Sequence, residues 1–138
     1  MEAGSVEPRI ANIKQEWHWV RPGLEEIYGM SPHIAEIPED VYAACMAGHA
    51  HLWITDDGFV VTKFGEDEGL RGLHLWHAWA KQRGDKHSLA HHDFFEGLAL
   101  QNGCQYMQTQ TVHQPLVDHF IDHLGYRVKV HILEKDIG

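Results

Sequence analysis

Residues Ser88 to Glu134 read SLAHHDFFEGLALQNGCQYMQTQTVHQPLVDHFIDHLGYRVKVHILE, and their pattern indicates the fold of the whole chain. The pattern predicts a helix over 88–102, a strand over 104–111, a helix over 113–124 and a last strand over 126–134. The second helix carries its apolar residues on one stripe. Gly125 follows it, at the position where helices commonly end in a left-handed residue, a conformation that costs glycine little free energy. Apolar residues then alternate with polar ones, as in a half-buried strand.

The residues before this stretch predict the rest of one α/β domain over 13–138, preceded by an N-terminal arm over 1–12. Helices are predicted over 13–30, where Pro22 breaks the helix or starts its second half, and from Pro38 to Gly48. Strands are predicted over 49–55, 59–64 and 70–80, with a loop over 65–69. The long strand is apolar on both faces, which favours a mixed central sheet flanked by helices on both faces.

Composition and charge narrow the classes of partner. The chain has 20 acidic and 11 basic residues, a net charge of −9, which disfavours direct binding to nucleic acid or to an anionic membrane. Its two cysteines are too few for a disulfide framework, so we expect a reducing, cytoplasmic site of synthesis. No apolar run reaches the length of a membrane span.

The order of elements resembles the GNAT superfamily, the acyl-CoA-dependent N-acetyltransferases. In that family the long central strand leads into a loop, Gln/Arg-x-x-Gly-x-Gly/Ala, whose backbone N–H groups hold the pyrophosphate of coenzyme A. The loop here is KQRGDKHS, from Lys81 to Ser88. Alignment on Gly84 puts Lys86 where the second small residue belongs. If acetyl-CoA binds at all, the resemblance implies these contacts: Arg83, Gly84, Lys86 and Ser88.

A second family feature, Asn-x-x-Ala-x-x-x-Tyr-x-x-x-Gly-Phe, supplies the tyrosine that protonates the leaving thiolate. Counting back from Gly125 places Gln114, Val117 and Ile121 at the Asn, Ala and Tyr positions. The isoleucine side chain has no ionisable group and cannot act as a general acid. The candidates for a general base near the central strand are Glu66, Glu68, His74 and His77, and none of them belongs to a recognisable motif. We therefore predict no catalytic residue and no cofactor, with acetyl-CoA as the alternative.

A narrower resemblance runs from Pro38 to the C-terminus. The segments from Glu39 to Ala43 and from Gly48 to Trp53, with Ala99 to Cys104 and Gly125-Tyr126, are similar to small GNAT-like proteins encoded among bacteriophage head and tail genes. That similarity implies a structural or assembly protein acting in the host cytoplasm or incorporated into a virion. Its expected partners are other protein chains, such as virion proteins or further copies of itself. Trp17 and Trp19 are the predicted partner-binding residues.

The 13 histidines raise a third hypothesis, a metal-binding module. His119 and His123 are spaced i, i+4 on a helix, and His49 and His51 are spaced i, i+2 on a strand. The alternative interpretation is a solvated helix face and hydrogen-bonded histidines, together with a pH-responsive surface. We predict no metal site, and we expect Cys104 to be a buried, inert thiol.

Overall fold

The computed structural model of the chain describes residues 7–30, 36–81, 91–111 and 114–138. The elements in these residues are β1 (Arg9–Ala11), α1 (Ile13–Gly29), α2 (Pro38–Met46), β2 (His51–Ile54), β3 (Gly58–Asp67), β4 (Leu70–Ala80), α3 (His92–Gln101), β5 (Tyr106–Thr109) and α4 (Gln114–Leu124). The sheet order is β1-β2-β3-β4-β5, with antiparallel neighbours up to β4 and a parallel pair at β4 and β5. This confirms the predicted α/β fold with a mixed sheet.

Two tight connections shape the antiparallel part of the sheet. Between β2 and β3, the hydroxyl oxygen of Thr55 accepts a hydrogen bond from the backbone N–H of Gly58 at 2.9 Å. Between β3 and β4, Glu68 and Gly69 have φ values of 54° and 80°. Two residues with positive φ form a turn whose twist matches that of the strands beside it. The predicted loop over 65–69 is therefore wrong, since β3 continues to Asp67.

Helix α1 runs without interruption through Pro22, which corrects the predicted break. Asn12 caps it, since its side chain accepts a hydrogen bond from the N–H of Lys14 at 2.9 Å. A proline inside a helix costs about 3 kcal/mol. Val20 and Leu24 stand on either side of Pro22 and are fully buried. Burial of each contributes about 1.5–3 kcal/mol, which offsets the cost of the proline.

Apolar side chains cover both faces of the sheet. The core on the α1 and α2 face contains Ile13, Val20, Leu24, Val41, Ala50, Leu52, Ile54, Phe59 and Val61. The core on the α3 face contains Val60, Leu73, Phe95, Ala99 and Cys104. Phe59 and Val61 point to one face while Val60 points to the other, as the two-residue period of a strand requires. Helices on both faces were predicted.

The two ends of the chain differ from the sequence prediction. Arg9–Ala11 pairs with β2, with Ile10 opposite Trp53, so these residues belong to the sheet rather than to the predicted arm. At the other end, residues 125–138 form neither helix nor strand, and the strand predicted over 126–134 is absent. A strand needs a neighbour for its backbone N–H and C=O groups. In the described part of the chain, no strand pairs with these residues.

Candidate functional site

The candidate site lies where β4 and β5 separate. They pair from Gly72 opposite Tyr106 to Leu75 opposite Thr109, and β5 then ends while β4 continues to Ala80. From Trp76 onward β4 has no ladder partner on this side among the described residues. In α/β sheets, ligands bind beyond the carboxyl ends of the strands, where neighbouring strands part.

A glycine on β4 sets the position of β5. A Cβ atom added at Gly72 would lie 2.0 Å from the ring of Tyr106. The missing side chain therefore lets the Tyr106 ring lie across β4 at the first rung of the parallel pair. The separation at Leu75 and Thr109 follows three rungs later.

The buried polar pair nearest the separation is His77 with Tyr28. His77 is only 8% exposed, and its Nε2 atom lies 3.1 Å from the hydroxyl of Tyr28 on α1. Burial, and secondarily the charge of Lys63, lowers the pKa of His77 to about 4. Burial also raises the pKa of Tyr28, with a smaller contribution from the carboxylates of Glu36 and Asp40. Both groups are therefore neutral near pH 7 and are weakly suited to proton transfer there.

The other predicted candidates for a general base lie farther from the separation. Glu66 and Glu68 are at or beside the turn that joins β3 to β4, and the adjacent rung is Asp67 opposite Leu70. From Leu70 to His77 the strand rises by roughly 23 Å. His74 is closer, and burial lowers its pKa. Its Nε2 atom is buried and has no hydrogen-bond partner among the described residues.

The position that would hold the proton donor is on α4. Ile121 is 40% exposed there, so its side chain is accessible but carries no ionisable group. The preceding residue, Phe120, is buried and fixes the helix against the domain. Gln114, at the position of the family's asparagine, donates a hydrogen bond to the Asp118 carboxylate at 2.9 Å. The helix is therefore present, and the residue that the resemblance aligns with the family's proton donor is an exposed isoleucine.

The predicted coenzyme A contacts fall outside the described residues. Arg83, Gly84, Lys86 and Ser88 all lie between residues 82 and 90. Their role in binding a cofactor stays a prediction.

The two predicted partner-binding tryptophans are half-buried on α1. Trp17 packs edge-on against Tyr42 with 4.9 Å between ring centroids. Trp19 packs against Phe59 at 5.8 Å, and its indole N–H donates to Glu16 at 2.7 Å. Both side chains stabilise the domain, and their role in docking stays a prediction.

The described residues contain one cluster of three potential metal ligands, His92, Asp93 and Glu96 at the start of α3. His92 is buried, and its Nε2 atom lies 2.8 Å from the hydroxyl of Tyr126. Its Nδ1 atom lies 3.8 Å from Glu96. Burial lowers the pKa of His92 although the two carboxylates oppose the shift. This cluster was not predicted from the sequence, where the acidic residues at i+1 and i+4 from His92 were the available signal.

The remaining histidine and cysteine candidates are arranged as follows. The rings of His119 and His123 lie 4.8 Å apart on α4, whereas His49 precedes β2 and His51 begins it. Cys104 is a buried free thiol, as expected. Burial raises the pKa of Cys45 to about 11, so this thiol is protonated near pH 7. The absence of a metal site stays a prediction.

Comparisons with known proteins agree on the fold. No protein-family model and no curated protein matches the chain. Among solved structures, a putative acetyl transferase from Pyrococcus furiosus is 13% identical with a TM-score of 0.70, covering 95% of this chain and 100% of its own. A ribosomal-protein-alanine N-acetyltransferase from Brucella melitensis biovar Abortus 2308 is 14% identical with a TM-score of 0.64, covering 94% and 100%.

A third similar structure, a transcriptional regulator from Bacillus halodurans C-125, is 17% identical with a TM-score of 0.65, covering 96% of this chain and 99% of its own. At these identities the likeness shows a GNAT-like fold, and a shared fold does not fix a function. No helix in the described part of the chain has the length and apolarity that crossing a membrane requires.

Proposed function

We propose that this chain is a non-catalytic GNAT-like protein that acts through protein–protein contacts in the structure or assembly of a bacteriophage. The observation that carries the proposal is Ile121, which stands where the family's proton donor is expected and is accessible at 40% exposure. A thiolate leaving group at that position would meet an alkyl side chain. Without an acid at this point, ordinary acetyl transfer loses the group that protonates coenzyme A.

The buried pair at the strand separation supports the same proposal. His77 and Tyr28 hydrogen-bond to each other inside the α1 face of the sheet. The pKa of His77 is near 4 and that of Tyr28 is raised, so neither lies near the operating pH that efficient acid–base catalysis favours. Their contribution is to satisfy each other's polar groups within the core.

The phage assignment rests on the resemblance of residues 38–138 to small GNAT-like proteins of phage structural genes. It implies action in the host cytoplasm or within a virion, and protein chains as partners. Recovery of the chain in purified virions supports a virion role. Recovery only in infected-cell lysate, in complex with other virion proteins, supports assembly.

Calorimetric titration with acetyl-CoA tests the non-catalytic role. We expect no binding at micromolar concentration for the natural chain or for Gly84→Asp. Gly29→Asp is the charge-matched control, since the space around Gly29 is open. Micromolar binding that Gly84→Asp abolishes and Gly29→Asp retains would overturn the proposal.

The second candidate is a divergent acyl-CoA-dependent N-acetyltransferase. It is favoured by the unpaired stretch of β4 beyond Leu75 and by the similarity to structures named as acetyltransferases. In this case Gly84, Lys86 and Ser88 would hold phosphate, and His77 would accept the amine proton. Release of free coenzyme A with amine substrates, lost in His77→Gln, supports this candidate over the first.

A further inference from the structure

The start of α3 brings an imidazole and two carboxylates together. His92, Asp93 and Glu96 each offer one ligand atom, and these three atoms lie within 4.8 Å of one another. The Nδ1 atom of His92 is 3.8 Å from a carboxylate oxygen of Glu96. Zinc accepts both ligand types, at bond lengths of roughly 2.0–2.2 Å. Asp93 and Glu96 are exposed, so their carboxylates have the freedom to close on one ion.

His92 also has a buried nitrogen atom without a hydrogen-bond partner. The residue is only 7% exposed, and its Nδ1 atom is unpaired among the described residues. The 3.8 Å to Glu96 is too long for a hydrogen bond. Buried polar atoms are normally paired, so this nitrogen calls for a further partner, such as water or an ion. Two carboxylates beside it favour a cation over a neutral water molecule.

The other ring nitrogen of His92 is held as it is in metal sites. Its Nε2 atom lies 2.8 Å from the hydroxyl of Tyr126. Metal-bound histidines almost always donate their second ring N–H to an acceptor, which fixes the tautomer and the orientation of the ring. With the proton on Nε2, the free lone pair is on Nδ1, the atom near Glu96. Burial lowers the pKa of His92, so its imidazole is neutral near pH 7, the form that binds metals.

A favourable interaction with the helix dipole explains only part of this cluster. An acidic residue in the first turn of a helix is stabilised by the positive end of the dipole, which is sufficient reason for Asp93. It gives no reason for the unpaired Nδ1 atom of His92. A bound cation would satisfy this nitrogen and neutralise the two carboxylates at the same time.

We propose that His92, Asp93 and Glu96 bind a divalent transition-metal ion of the zinc type, through Nδ1 of His92 and one oxygen of each carboxylate. The imidazole favours zinc over magnesium or calcium, which prefer oxygen ligands. Three protein ligands leave a fourth position for water or for a group from another molecule. Through Tyr126, which follows α4, the ion would also brace the end of α4 against α3. The proposal departs from the prediction, made from the sequence, of no metal site, and it is independent of the proposed function.

Calorimetric titration of the untagged, metal-stripped full chain with zinc chloride tests the proposal. We expect saturable binding at micromolar concentration. The dissociation constant should rise roughly tenfold or more in Glu96→Gln, because an uncharged amide replaces a carboxylate ligand. Glu134→Gln is the matched control, since it makes the same change at another exposed carboxylate, and it should leave the constant unchanged. Both residues are exposed, so neither variant should unfold the chain.

Two further variants separate this site from other histidines. Tyr126→Phe removes the acceptor for Nε2 and should weaken zinc binding by roughly tenfold, as the loss of an outer hydrogen-bond partner does. The double variant His119→Gln, His123→Gln removes the i, i+4 pair on α4 and should keep the binding. NMR signals of the His92 ring should show the proton on Nε2 and the metal on Nδ1.

The results that would overturn the proposal are equally definite. One is a natural chain that binds no zinc at high micromolar concentration. Another is binding that Glu96→Gln weakens no more than Glu134→Gln does. Binding lost in the His119 and His123 variant but kept in Glu96→Gln would place the ion on α4 instead. Magnesium bound as tightly as zinc would mean that the imidazole is not a ligand.

Discussion

The N-terminal meander (residues 9–80) and the C-terminal unit (residues 104–138) differ in how completely their strands are paired. In the meander, β3 and β4 pair along their full length, from Gly58 opposite Ala80 to Asp67 opposite Leu70. In the C-terminal unit, β5 pairs with β4 over four residues, and the chain after α4 joins no strand among the described residues. The stretch of sequence that first indicated the fold therefore ends in the part of the molecule whose strands are least completely paired.

The two regions also differ in how much of the apolar core they contain. The larger apolar core of the described residues lies within the meander, where helices α1 and α2 pack against its strands. The C-terminal unit contributes the separation of β4 from β5, the position of Ile121 and the exposed segment of residues 127–133. We therefore expect the meander to contribute more to the free energy of folding than the C-terminal unit does.

The largest expected effect is the loss of Phe59 from the meander. Phe59 is 1% exposed and stacks on Trp79 with 5.7 Å between ring centroids. Phe59→Ala should lower the free energy of unfolding by about 3–5 kcal/mol, because burial is lost and a cavity remains. Denaturant titration followed by circular dichroism measures this loss of free energy of unfolding. Phe120→Ala, in the C-terminal unit, should cost less, since that helix can relax; an equal or larger loss would contradict the comparison.

A side chain at Gly72 should loosen the connection between the two regions. The added Cβ of Gly72→Ala would meet the Tyr106 ring at 2.0 Å, so β4 and β5 must shift apart. We expect a loss of about 1–3 kcal/mol, the usual cost of overpacking. Hydrogen exchange should show reduced protection at β5 while β3 keeps its protection. Uniform loss of protection in both strands would show that the two regions unfold as one.

Acidification should destabilise the meander through His77. Its pKa is about 4 in the folded chain against an ordinary value of 6.5, so the unfolded chain binds a proton more readily below pH 6.5. Stability is therefore retained above pH 6.5 and lost as the pH falls toward 4. Between pH 7 and pH 5 this group alone should remove about 2 kcal/mol from the free energy of unfolding. Denaturant titrations at both pH values measure it, and His77→Gln should show a smaller pH dependence than the natural chain. If the free energy of unfolding of His77→Gln falls with pH as steeply as that of the natural chain, other groups are responsible for the pH dependence.

The smallest expected effect is stabilising and involves α3, which connects the two regions. Gly97 lies inside this helix with open space around its missing side chain. Gly97→Ala should raise the free energy of unfolding by about 0.5–1 kcal/mol, since alanine loses less backbone entropy in a helix. The midpoint of thermal unfolding should rise accordingly. A decrease would mean that α3 has a close neighbour at this point.

Much of the fold follows from local patterns in the sequence. The apolar faces of residues 70–80 predicted β4 as a central strand. The helix α4 was predicted from an apolar stripe of Leu116, Val117, Phe120, Ile121 and Leu124, of which Phe120 is buried and Ile121 is 40% exposed. The break at Pro22 was predicted wrongly because the cost of a proline inside a helix was considered without the burial of Val20 and Leu24 on either side of it. The strand over 126–134 was predicted from alternation alone, although a strand also requires a neighbour.

The candidate site was harder to predict than the fold. Ile121 could be placed by counting from Gly125, because a helix preserves spacing. The pairing of His77 with Tyr28 joins residues 49 positions apart, and nothing in the local sequence marks Tyr28 as its partner. The cluster of His92, Asp93 and Glu96 was not predicted, because the sequence does not show that His92 is buried while its neighbour His91 is only partly buried. Long-range contacts of this kind depend on the packing of α1 and α3 against the sheet.

The tryptophans have a practical consequence for spectroscopy. All five lie between residues 17 and 79, and Trp19 and Trp79 pack around Phe59. Intrinsic emission should therefore report on the meander, with Trp53 sensing α3 through Phe94 and Phe95. A single tryptophan introduced at Val130 would add a reporter in the opposite half, and two optical transitions could then be followed in one sample.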